Sequence, residues 1–156
     1  MAARSLETFP IHLGLGATAE PQPEFPRNEA AMDWYMDYAR RHEADGFDAR
    51  LVASYTFSES WPMWEMHPNG AEVVICTAGR MTLHQELADG SEASVTLEPG
   101  HYAINPPGAW HTADIHGEAS ALFITAGIGT QHRARLFHPG ERALRGATKC
   151  DTFAAS

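Results

Sequence analysis

The sequence predicts an all-β domain, a sandwich or barrel of eight strands preceded by an extended arm and one helix. Three observations carry this. From Ala49 to Ala126 the chain breaks into short alternating or apolar runs of strand length. Turn signals separate them, at Ala78-Gly79, Asp89-Gly90, Pro99-Gly100, Pro106-Pro107-Gly108 and His116-Gly117. And 156 residues, 44% hydrophobic and 20% charged, suit one domain with a real core.

Residues 1–27 hold Pro10, Pro21, Pro23 and Pro26, which resist helix and suit an arm with a short strand at Phe9 to Leu13. From Asn28 the period changes. Asn28 can cap, Glu29 suits a first turn, and Met32, Tyr35, Met36 and Ala39 recur at helical spacing up to a stop near Gly46. A helix over about 28–44 is expected, its Met and Tyr stripe against the barrel. The strands follow as Ala49 to Phe57, Trp61 to His67, Ala71 to Thr77, Arg80 to Leu87, Ala93 to Leu97, Tyr102 to Asn105, Trp110 to His116 and Ser120 to Ala126. This divides the chain into an arm and helix (1–47), a barrel (48–128) and an extension (129–156).

The net charge of −9 argues against a nucleic-acid surface, which needs clustered Lys and Arg. Between Leu51 and Gly129 the only such base is Arg80, and Arg133, Arg135, Arg142, Arg145 and Lys149 gather at the end. No apolar run reaches the length of a membrane span, and the first residues lack the apolar core of a signal peptide. A cytoplasmic chain is expected. Cys76, in an apolar run, reads as core, and Cys76 and Cys150 make no disulfide framework.

Chemistry concentrates in two stretches. From Trp64 to Gly79, the residues Glu65, His67 and Glu72 flank Pro68-Asn69-Gly70, which reads as a hairpin turn with Gly70 left-handed. Alternation then sends Glu65 and His67 to one face, and Glu72 begins the return strand on that face. In the second stretch, Gly100 to His111, Pro-Pro-Gly is a rigid turn that delivers His111 to the start of a strand.

The two stretches together resemble the paired motifs of the cupin superfamily. His67, Glu72 and Gly79 match the end of the first motif, and Gly100, Pro106, Gly108 and His111 match every position of the second. The resemblance implies a double-stranded β-helix, or jelly-roll barrel, with His67, Glu72 and His111 converging on a divalent metal. Three positions depart from the pattern: Glu65 stands for the first His, Ile115 for a usual Asn, and His101 for a common Asp.

With Glu65 added, two imidazoles and two carboxylates suit Fe, Mn, Ni, Co or Zn and disfavour Cu(I). Without it, His67, Glu72 and His111 form a two-His-one-carboxylate triad open to O₂ chemistry. If Glu65 ligates, Lewis-acid isomerase or lyase chemistry becomes more attractive; its third role is general base. The expected function is a small metal-dependent, dioxygenase-like enzyme on a small organic substrate, with a non-catalytic sensor cupin as the rival. Met63, Gln85 and Trp110 are the candidate substrate contacts, and Met81 and Leu83 are read as core. His84, His101, His116, His132 and His138 have no spacing partner and read as structural or exposed. A homodimer, through sheet faces or exchanged arms, is the expected assembly.

Overall fold

The computed structural model describes residues 2–136. His138, Arg142, Arg145, Lys149 and Cys150 lie outside the described residues. Nine strands occur among those described: β1 (Ile11–Gly14), β2 (Thr18–Pro21), β3 (Arg50–Phe57), β4 (Met63–Met66), β5 (Glu72–Glu86), β6 (Glu92–Leu97), β7 (Tyr102–Asn105), β8 (Trp110–Thr125) and β9 (Gln131–Ala134). The one α-helix among them, α1 (Ala31–Arg41), lies between β2 and β3. All strand pairs are antiparallel.

The architecture follows from two long strands that each serve two layers. The first half of β5 pairs β7 and the second half of β8, and that half of β8 pairs β3. The second half of β5 pairs β6 and the first half of β8, which meets β4. One layer therefore runs β2-β1-β3-β8-β5-β7 and the other β9-β4-β8-β5-β6. The four runs expected for these segments merge because each strand bends instead of ending. In β5 the bend falls at Gly79, where the register slips on both sides and φ is +70°. A Cβ there would lie 2.0 Å from the Glu118 carbonyl oxygen, so only glycine fits where the strands cross over.

Between the layers, inward positions of both halves build one core. Val74, Cys76, Ala119, Ala121 and Phe123 come from the first layer, and Met81, Leu83, Leu97, Ala113 and Ile115 from the second. Met81 and Leu83 are fully buried, as read from their alternation.

Several local expectations change. β4 and β5 are not a hairpin, because β4 pairs with β8 and β9 in the opposite layer. The Pro68-Asn69-Gly70 segment crosses between layers, and Gly70 has no left-handed φ. It is needed for space: a Cβ would meet that of Ala126 at 2.5 Å. The arm strand begins at Ile11, not Phe9, and folds back as β2, while β9 adds a strand inside the segment read as an extension.

The helix is shorter than expected and turns a different face inward. Its buried residues are Trp34 and Tyr38, one turn apart, which join Phe25 and Leu51 in a second cluster. Met32 and Met36 are exposed. The rings win because Trp34 and Tyr38 stack on each other and Phe25 meets Trp34 edge-on, which Met cannot match in area. Asn28 does not cap the helix; its side chain accepts from the amide of Ala30, the residue that precedes α1.

Candidate metal centre

His67, Glu72 and His111 meet between the layers, all three buried. Glu72 opens β5 on its inward face, and His111 sits at the second residue of β8, inward after the Pro106 to Gly108 turn. His67 follows β4 directly. Its Nε2 is 3.3 Å from one Glu72 oxygen, and the His111 Nε2 is 3.1 Å from the other.

The remaining hydrogen bonds fix the tautomers. His111 Nδ1 lies 3.2 Å from the Ala109 carbonyl oxygen, which can only accept, so Nδ1 carries the proton. Thr130 donates its hydroxyl proton to Gly127, leaving Oγ1 to accept from His67 Nδ1 at 2.8 Å. In the neutral imidazoles both Nε2 atoms therefore present lone pairs, and both are buried without a hydrogen-bond partner. Two orphaned imidazole acceptors facing one carboxylate are the arrangement a cation satisfies.

Glu72 is held from two further sides. Asn105 donates to one oxygen at 2.9 Å and Thr125 to the other at 2.7 Å. Gln85 in turn donates to the Asn105 side-chain oxygen and to the Ile104 carbonyl, so the Asn105 amide can point only one way. In the metal-free protein burial pushes the Glu72 carboxyl up, but the hydrogen bonds and charge that His111 and His67 offer once a proton also sits on Nε2 outweigh it and hold the group well below the usual carboxylate range. For His111, burial works against protonation and Glu72 more than offsets it, a net rise.

Glu65 pairs in register with His111 across β4 and β8, so both side chains share the inward face. One donor atom each from Glu65, His67 and His111 lies within 4.8 Å of the other two. Glu65 is about three-tenths exposed, whereas Glu72 is nearly closed off, so the site opens on the Glu65 side. A Glu65 oxygen is also 3.3 Å from His132 Nε2 on β9, and that contact raises the His132 pKa.

The candidate substrate contacts separate. Met63 shares the Glu65 face of β4 and is partly exposed. Gln85 faces the site opposite His111, but its amide is committed to Asn105 and Ile104. Trp110 points away: it precedes His111 on the strand, pairs with Glu86, and is covered by the Arg133 guanidinium at 4.5 Å from the ring centre. It is not a wall of the site. Asn105, Thr125, Thr130 and His132 have no motif spacing to betray them. Of the other histidines, His84 pairs with Asp114 and His116 with Thr82.

A second cluster, His12, His42 and Asp45, also brings donor atoms together. The His12 and His42 rings stack at 3.6 Å and 16°, so their in-plane lone pairs cannot meet on one ion. Both nitrogens of His12 are taken by Tyr38 and Asp45. That cluster pins the arm to the helix.

Two long strands that bend to serve both layers, with the two motifs closing on one interior site, decide the fold. It is a double-stranded β-helix, the jelly-roll barrel that the motif resemblance implies. No known family profile matches the chain, and no curated protein matches it. Among solved structures, the chain is similar to hydroquinone 1,2-dioxygenase from a Sphingomonas species with 4-hydroxybenzoate bound, at 18% identity and a TM-score of 0.42 over 49% of this chain and 59% of that one. It is similar to an oxalate oxidase in complex with glycolate, at 15% identity and 0.47 over 53% and 45%. A cupin-2 domain protein from Shewanella frigidimarina aligns at 22% identity and 0.39 over 49% and 69%. The chain spans little more than half of the dioxygenase and less than half of the oxidase, and these likenesses carry no argument about activity.

Proposed function

We propose that this cupin barrel binds one divalent ion of the Fe, Mn, Co, Ni or Zn type through His67, Glu72, His111 and Glu65, and acts as a small metal-dependent enzyme on a small organic substrate. The supporting observation is the pair of buried His67 and His111 Nε2 atoms that face Glu72 with no hydrogen-bond partner. Oxygen and imidazole donors of this kind suit a borderline ion and not Cu(I). Such an ion supplies Lewis acidity, and if iron, O₂ chemistry.

The chain's own part is positional. Thr130 and the Ala109 carbonyl hold the imidazoles with Nε2 inward, and Asn105 and Thr125 aim the two Glu72 oxygens. The layer contacts exclude water from three donors, and where Glu65, on the open side beside Met63, stays off the ion, it is the base that takes or returns a substrate proton. Dioxygenase-like chemistry is the leading reading. Isomerase or lyase chemistry is favoured to the extent that Glu65 ligates, for which its closeness to His67 and His111 speaks. A non-catalytic sensor cupin is the reading that the filled interior, Met81, Leu83 and Leu97, favours.

The test is metal-stripped protein reloaded with each ion, followed by elemental analysis and O₂ uptake on catechol, thiol and diketone panels. One ion per chain with turnover is expected. Protein that retains no stoichiometric ion sinks the proposal, and bound metal without turnover leaves the sensor.

We also propose a cytoplasmic homodimer. Among the described residues no helix is long and apolar enough to cross a membrane, and Cys76 is a buried free thiol. The dimer is supported by the outward side of the first layer, where Val73 pairs with Ile104 and Ile75 with Tyr102, and both β7 residues are more than half exposed. Tyr102→Lys with Ile104→Lys is expected to shift the light-scattering mass from dimer to monomer.

A further inference from the structure

We propose that residues 127–136 form a strap that positions the metal donors on and beside β4, with Thr130 and His132 as its positioning residues; this rests on the metal reading above. β4 is four residues long and carries Glu65, with His67 just beyond it. It meets β8 at a single register pair, Glu65 with His111, but meets β9 at four, from Met63 with Ala134 to Met66 with Gln131. The strand that carries one donor and leads into a second is thus paired along its whole length with β9, while β8 holds its other edge through Glu65 and the Met63 carbonyl.

The strap reaches each donor on β4's side of the site. Thr130 Oγ1 accepts a hydrogen bond from His67 Nδ1–H at 2.8 Å and so determines which nitrogen faces the ion. His132, the register partner of Glu65, lies 3.3 Å from its carboxylate and limits how far that group can swing. The intervening contacts clamp the strap itself. The Arg133 guanidinium lies between Trp64 of β4 and Trp110 of β8, 5.2 and 4.5 Å from their ring centres, and bonds Glu86 of β5. Arg135 continues the hold, its backbone amide donating to Pro62 and its side chain pairing with Asp114 at 3.0 Å. A partner of a ligating imidazole commonly contributes 10- to 100-fold to metal affinity.

The experiment uses the full chain as wild type, Thr130→Val, Thr130→Ser, His132→Ala and Arg133→Ala. Co(II) affinity is measured by chelator competition, with the visible Co(II) spectrum and a melting curve for each protein. Thr130→Val is expected to bind roughly 10- to 100-fold more weakly while Thr130→Ser stays within about 3-fold of wild type. Arg133→Ala, which touches no donor, is expected to weaken binding about 10-fold, and His132→Ala to alter the spectrum as Glu65 moves. Thr130→Val and Thr130→Ser binding alike, with Arg133→Ala at wild-type affinity, would overturn the strap and leave the metal reading standing. A wild-type chain that takes up no Co(II) overturns both.

Discussion

Glu72 is the residue at which the site's electrostatics meet. It is the carboxylate that is nearly closed off, each oxygen accepts one neutral donor, and each faces one imidazole nitrogen. Glu72→Gln keeps the shape but removes the charge that a cation needs, and replaces an acceptor with an amide N–H₂. The expected outcome is a loss of metal affinity of at least about 100-fold by chelator competition, with Glu65→Gln, on the open side, losing less. Spacing along the chain showed His67, Glu72 and His111 because motif residues sit at fixed distances from their turns. It could not show Asn105, Thr125 or Thr130, whose hydrogen bonds reach donors 33, 53 and 63 positions away.

Helical period alone does not choose a face when both faces are apolar, and α1 is such an element. Its burial of Trp34 and Tyr38 was decided by Phe25 and Leu51, which wait on the arm and β3. Trp34→Ala is therefore expected to cost about 3 kcal/mol, and Met36→Ala less than about 0.5 kcal/mol, in urea unfolding. For the long strands the decisive place is the bend. Gly79→Ala must move a Cβ away from the Glu118 carbonyl and accept a positive φ, so a loss of about 2–4 kcal/mol is expected by the same measurement. The turn signal at Ala78-Gly79 was visible in the chain. That the strand continues through it was not, since continuity depends on β8 running alongside both halves.

At the scale of the molecule, the metal-free fold carries a titration written by its own site. The folded His111 pKa is raised, so its contribution to stability is complete below about pH 6.5 and lost as pH rises through the raised value. The Glu72 pKa is depressed, so its contribution is present above about pH 4.3 and lost as pH falls through the depressed value. Metal-stripped protein is expected to melt highest between these limits and at lower temperature toward pH 8.5. Divalent metal should reverse the upper slope, because the ion needs both imidazoles neutral and its stabilisation grows as protons leave. Melting curves at pH 5 to 9 with and without metal check this, and parallel curves would refute it.

Reading along the chain was enough for the all-β class, the two-motif cupin resemblance, three donor candidates that the structure brings together, and the burial of Met81 and Leu83. These are local matters of alternation, turn chemistry and fixed spacing. Long-range pairing was needed to put β4 and β5 in opposite layers, to turn Trp110 outward, and to set β9 behind Glu65 and His67. Each of those is a pairing between segments far apart in the chain, fixed by the joint packing of two layers and not by any one stretch.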